Sequence, residues 1–131
     1  MKILSLELIA FGPFTDRALD LSGGKEGLHI VYGPNEAGKS SALRALRQLL
    51  YGIPERSADA FLHPFSKMRV GGTLRSTGGQ VLTVVRRKGR GGTLRAADDK
   101  AAIEASELAR FLNGVDAGLF ATMFGIGYDE L

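Results

Sequence analysis

The residues Gly33-Pro34-Asn35-Glu36-Ala37-Gly38-Lys39-Ser40-Ser41 have the types and spacing to do chemistry. They fit the pattern of Gly, four residues, Gly-Lys-Ser, a loop that cradles phosphates. Gly33 and Gly38 let the backbone turn tightly and come close to an anion. Successive backbone N–H groups, together with a helix N-terminus, then point at phosphate oxygens. Lys39 is expected to reach the β- and γ-phosphates as a point charge, and the Ser40 hydroxyl to ligate Mg²⁺. Glu36 stands beside these groups, where a carboxylate would repel phosphate, so its side chain should point away.

A second signal is charge. From Ala60 to Ala97 the cations are Lys67, Arg69, Arg75, Arg86, Arg87, Lys88, Arg90 and Arg95, with no Asp or Glu among them. A stretch of one sign suits a phosphate backbone. The plainer reading is a solvated strand edge protected by charge, but such an edge usually mixes signs. Strand neighbours alternate, so Arg86 and Arg87 face opposite ways. Arg87, Lys88 and Arg90 are expected to form an exposed DNA-binding cluster, and Arg86 to hold the loop near the nucleotide.

Residues 53–66 show no clear period and read as an irregular surface excursion, which at that length is more often functional than idle. Three residues in or beside it, Arg56, His63 and Lys67, are candidates for the edge of a nucleotide site. The alternative is a packed loop histidine between Leu62 and Pro64, with solvated cations on either side. Phe11 and Phe14 read as core rather than as adenine-stacking rings.

The elements that must position these groups follow from periodicity. Leu4, Leu6, Leu8 and Ala10 alternate with Ser5, Glu7 and Ile9, a half-buried strand. Glu7 inside this only apolar N-terminal stretch argues against a signal peptide. Phe11-Gly12-Pro13-Phe14 is a turn, and residues 15–21 pair back as a hairpin. Leu28 to Tyr32 form a buried strand ahead of the phosphate loop. A helix runs from about Gly38 to Tyr51, with Leu43, Leu46, Leu49 and Leu50 at helical spacing, and stops at Gly52. Met68–Ser76 and Gln80–Lys88 form a second hairpin across Thr77-Gly78-Gly79, and a further strand lies near Thr93-Leu94-Arg95. Residues 98–113 read as helix ended by Asn113-Gly114. Asp116 is placed to cap a short final helix carrying Leu119, Phe120 and Met123.

A chain of 131 residues suffices for one small domain and one core. It is 44% hydrophobic and 24% charged, a globular balance that argues against disorder. It has no cysteine, which excludes disulfides and Cys-ligated zinc. No apolar run approaches transmembrane length. The net charge of +3 is mild, and the reading is cytoplasmic with no membrane partner.

The ordered set of motifs resembles the ATPase heads of the SMC, SbcC and RecF group, and more closely the YhaN-type AAA domain of large bacterial coiled-coil ATPases. The resemblance rests on the N-terminal strand, Phe11-Gly12-Pro13-Phe14 and the phosphate loop. It continues through Leu50-Tyr51-Gly52-Ile53-Pro54, Arg56-Ser57, Phe61-Leu62-His63-Pro64, Met68-Arg69-Val70-Gly71, Arg86-Arg87-Lys88 and Met123-Phe124-Gly125-Ile126. It implies an α/β fold: the N-terminal lobe of an ABC-type P-loop head, residues 1–131, with antiparallel hairpins beside the phosphate-loop strand and helix. It also implies a longer coiled-coil protein that binds and hydrolyses ATP with Mg²⁺ in DNA repair or chromosome maintenance. The C-terminal lobe would supply the Walker B pair, the signature motif and the switch histidine. Two heads would pair around ATP on DNA, with a nuclease as a further partner, and the isolated chain is expected to be inactive. The chain departs from the pattern in places. Leu21-Ser22-Gly23-Gly24 spells the signature but lies upstream of the phosphate loop and reads as a hairpin turn. Tyr128-Asp129-Glu130 lacks the apolar run of a Walker B strand. No Gln stands at 124–131, which keeps open an ATP-gated DNA tether that does not hydrolyse. A small nucleotide kinase is a further alternative, but it would place a lid and acceptor-binding arginines where this chain has hairpins.

Overall fold

Alternation along the first ten residues builds the central strand. The structure, a computed structural model, describes residues 2–23, 39–57, 59–60 and 62–119. β1 (Lys2–Phe11) points Leu6, Leu8 and Ala10 inward and ends on fully buried Phe11. A turn at Gly12-Pro13 leads into β2 (Phe14–Asp20), with Phe11 and Phe14 paired. Gly12 has φ +54°, the positive value required at the first central position of a hairpin turn that matches strand twist. Beyond β2, Ser22 folds back so that its N–H and hydroxyl donate to the Asp20 carboxylate; Gly24 lies outside the described residues.

β3 (Arg69–Arg75) and β4 (Val81–Arg87) form the second hairpin, and β5 (Leu94–Ala96) follows. The sheet is antiparallel throughout, in the order β2-β1-β3-β4-β5. The second hairpin thus docks on the opposite side of β1 from β2. Leu6, Gly72 and Val84 share one row across it, and Val70, Arg86 and Leu94 another.

Helix α1 (Lys39–Tyr51) lies against this face. Its Ala45, Leu49 and Leu50 join Leu6, Leu8, Val70, Leu74 and Val84 in one buried cluster. Gly72 makes that approach possible: a Cβ there would sit 2.7 Å from Leu49 Cδ2 and 2.9 Å from the Ser5 carbonyl. The helix ends where the sequence puts the end, at Gly52, whose φ is +107° and whose N–H donates to the Gln48 carbonyl.

The expected helix over 98–113 is shorter than the sequence suggests. Helix α2 spans Ala105–Leu112 and buries Leu108 and Phe111. Upstream, the Asp98 carboxylate accepts the N–H groups of Lys100 and Ala101, and Asp99 takes φ +61°. This local side-chain bonding competes with helix. The chain instead folds back along β5, with Ile103 N–H donating to the Leu94 carbonyl. Asn113 in the left-handed region ends α2, as its sequence implies. Asp116 accepts the Leu119 N–H at 2.8 Å, the expected cap; Phe120 and Met123 lie outside the described residues.

Candidate nucleotide site and basic edge

Gly33 to Gly38 lie outside the described residues, as do Leu28 to Tyr32, where the sequence leads one to expect a strand, and the side chains of Lys39 and Ser40. What is described is the frame that receives the loop. The described part of the helix runs from Lys39, within the Gly-Lys-Ser pattern that calls for a helix N-terminus. Its first turn carries no acidic residue, so nothing there opposes an anion at the positive end of the helix dipole. That fits a nucleotide phosphate. Among the described residues no group of three His, Cys, Asp or Glu could hold a metal ion.

Beside this first turn lies a polar network that sequence reasoning missed. Arg44 grips Asp59 with two bonds, Nε to Oδ2 at 3.1 Å and Nη2 to Oδ1 at 2.7 Å. Nη2 also donates to Ser41 Oγ at 3.0 Å. Asp59 is only 2% exposed, and its backbone carbonyl accepts the Gly12 N–H at 2.8 Å. The bond to Asp59 raises the Arg44 pKa against the opposing pull of burial. The only available signal was Asp59 itself, one of two acids with Glu55 inside the unpatterned excursion, and nothing local named its partner.

The excursion is tied down a second time at His63. Its Nε2 lies 3.0 Å from the Phe14 carbonyl and 3.0 Å from Thr15 Oγ1. A carbonyl only accepts, so Nε2 carries the proton. His63 thus joins the excursion to the start of β2. Arg56 and Lys67 are both exposed, and no described contact brings them together with His63. Phe11 is core, as expected, and Phe14 is half-buried against it.

The basic stretch divides by face. Arg87, expected in the exposed cluster, is instead half-buried and paired. Its Nε donates to Asp99 Oδ1 at 2.8 Å and its Nη2 to the Asp99 carbonyl. Arg69, its partner across the hairpin, donates to Asp99 Oδ2 at 2.9 Å. Burial pushes the Asp99 carboxyl up, but hydrogen bonds from Arg87 and Arg69 outweigh it and hold its pKa below the ordinary value. The acid that neutralises the cationic hairpin stands just past the end of the acid-free run. Lys88 lies over the Phe65 ring, 4.4 Å from its centroid. Arg90 is 96% exposed, with Glu55 at 3.8 Å.

Arg86 also departs from expectation. It shares the face of Val84, as alternation requires, yet it does not serve the phosphate end of α1. Nε and Nη2 donate to the Leu49 and Leu50 carbonyls at 3.1 and 3.2 Å, and Nη1 to Thr93 Oγ1 at 3.1 Å. It caps the far end of a 13-residue helix. At ~1.5 Å per residue, the Leu49 carbonyl lies about 15 Å along the axis from Lys39. Burial lowers its pKa from the ordinary arginine value.

A family model described as "AAA domain" matches residues 1–131, the whole chain. The chain belongs to this AAA domain family. The AAA domain is therefore a P-loop nucleotide-binding fold of the ATPase kind, and the antiparallel sheet with α1 is its described frame. The chain is also 26% identical over 127 residues to the uncharacterized protein YhaN of Bacillus subtilis (strain 168). That match covers 95% of this chain and 13% of the relative, so the AAA domain spans about an eighth of that protein's length. The kinship to YhaN-type AAA domains inferred from the motifs holds. Among the described residues no helix is long and apolar enough to cross a membrane.

Proposed function

We propose that this AAA domain binds ATP with Mg²⁺ through Gly33 to Ser41 and forms the N-terminal lobe of an SMC/SbcC-like head. One observation carries the reading: the phosphate-loop pattern runs directly into α1, whose first turn is free of acid and whose apolar face is buried on the sheet. Backbone N–H groups and Lys39 would hold the β- and γ-phosphates, and Ser40 would orient Mg²⁺. Hydrolysis needs a carboxylate to place the metal and the water. A C-terminal lobe of the same protein would supply it, with two heads pairing around the nucleotide. The hairpin that follows α1 disfavours a nucleotide kinase, which needs a lid there. The longer protein is expected to hydrolyse bound ATP in a single-turnover experiment, whereas this chain alone binds weakly and turns over negligibly. Lys39-dependent multiple turnover by the isolated chain would contradict the split head. Tight binding without hydrolysis by the longer protein would favour the ATP-gated tether.

The role in DNA repair or chromosome maintenance, and any nuclease partner, rest on the resemblance and on the cationic edge. With Arg87 engaged by Asp99, Lys88 and Arg90 remain as the phosphate contacts at this end of the hairpin. Such contacts read backbone, not sequence. Replacing Arg87, Lys88 and Arg90 together with Gln should flatten the salt slope of duplex binding by about two units rather than three, since each phosphate contact contributes roughly one. Fluorescence anisotropy across a salt series with ATP present checks this. An unchanged slope and affinity would reduce the stretch to a solvated edge.

A further inference from the structure

We infer that Arg44 and Asp59 are positioning residues for the phosphate-binding end of α1, an inference that rests on the nucleotide reading above. Their pair joins three segments that are distant in sequence. Ser41 and Arg44 belong to the first turns of α1, Asp59 to the excursion, and Gly12 to the turn between β1 and β2. Asp59 is buried, and a buried carboxylate persists only when paired and hydrogen-bonded. The flat guanidinium fork meets both of its oxygens, which fixes direction as well as distance. The same Nη2 reaches Ser41 Oγ, on the residue next to the Mg²⁺ ligand of the motif.

The Arg44 side chain is 46% exposed, and two of its three guanidinium nitrogens, Nε and Nη2, are directed at Asp59 and Ser41. What the pair controls is the rotation of the helix start relative to the sheet. A loop that binds phosphate through backbone N–H groups tolerates displacements of about half an ångström. Gly12 sits within this contact: a Cβ there would lie 3.6 Å from Asp59 Oδ1 and 3.7 Å from Ser41 Cβ.

The test is calorimetry of MgATP binding to the intact protein, well below its melting temperature, with Asp59→Asn, Arg44→Gln and the double variant. Each single variant should weaken binding about tenfold, as outer-sphere partners of a metal site commonly do. The double variant should be no worse than either one, because the two act as a unit. The Mg²⁺ concentration needed for half-maximal ATP binding should rise in both, a shift that a purely structural role would not produce. Arg44→Lys should restore only part of the affinity, since an ammonium cannot bridge both Asp59 oxygens and Ser41. If Asp59→Asn fails to fold, Arg44→Gln at the more exposed partner carries the test alone. Wild-type binding left unchanged by Asp59→Asn and Arg44→Gln overturns the positioning role alone. Absence of ATP binding in the wild type, matched by Lys39→Ala, sinks the nucleotide reading and this inference with it.

Discussion

Replacing Arg86 with Met is expected to destabilise the domain by about 2–4 kcal/mol, because it leaves buried helix-end carbonyls without donors. The last four carbonyls of any helix lack partners within it. In α1 the Gln48 carbonyl is served by the Gly52 N–H, while the Leu49 and Leu50 carbonyls take the Arg86 guanidinium. Leu49 and Leu50 are themselves core residues, so this end of the helix cannot turn toward water for compensation. The positive charge also suits the negative end of the helix dipole. Met keeps much of the apolar stem and removes one buried charge, which moderates the loss. Lys should recover only part of the stability, since a point charge cannot serve two carbonyls and Thr93 at once. The expected fall in melting temperature is about 10 °C for a domain of this size. A Met variant that melts with the wild type would show that water already satisfies those carbonyls.

Arg86 also shows how far a sequence can be read. Its face was legible, because alternation with Val84 is a local rule. Its destination was not, since the Leu49 carbonyl lies far upstream and no periodicity points to it. The same division recurs through the chain. β1, the Val81–Arg87 strand and the apolar stripe of α1 follow directly from period two and period 3.6. Gly12, Gly52 and Asn113 each mark a chain reversal that their positive φ values explain. By contrast, the docking of β3 beside β1 is a long-range pairing that local pattern leaves open. The helix expected over 98–113 failed at its start because Asp98 offers the backbone a competing turn. Ala101 and Ala102, good helix formers by propensity, could not prevent this.

The site divides in the same way. The phosphate loop is a contiguous motif and can be read at sight. The long-range pairs Arg44 with Asp59 and His63 with Phe14 join loops to elements, and no local pattern announces them. The cationic hairpin misled for a related reason. An acid-free run counts charges along the chain, but Asp99 returns across the sheet to bind Arg69 and Arg87 together. Charge patterning identified the cations, while only the fold shows which of them remain available.

The central claim is that this AAA domain binds ATP through its phosphate loop, and Lys39→Ala tests it most directly. The variant removes the point charge expected on the β- and γ-phosphates, and alanine, the best helix former, suits the first position of α1. Loss of one charge-assisted contact is worth up to about 3 kcal/mol, or roughly a hundredfold in affinity. Isothermal calorimetry of MgATP against the intact wild-type protein and the variant, with circular dichroism to verify the fold, gives the answer. The account predicts measurable binding in the wild type and none detectable in a Lys39→Ala protein that remains folded. Equal ATP affinity in the two proteins would contradict it.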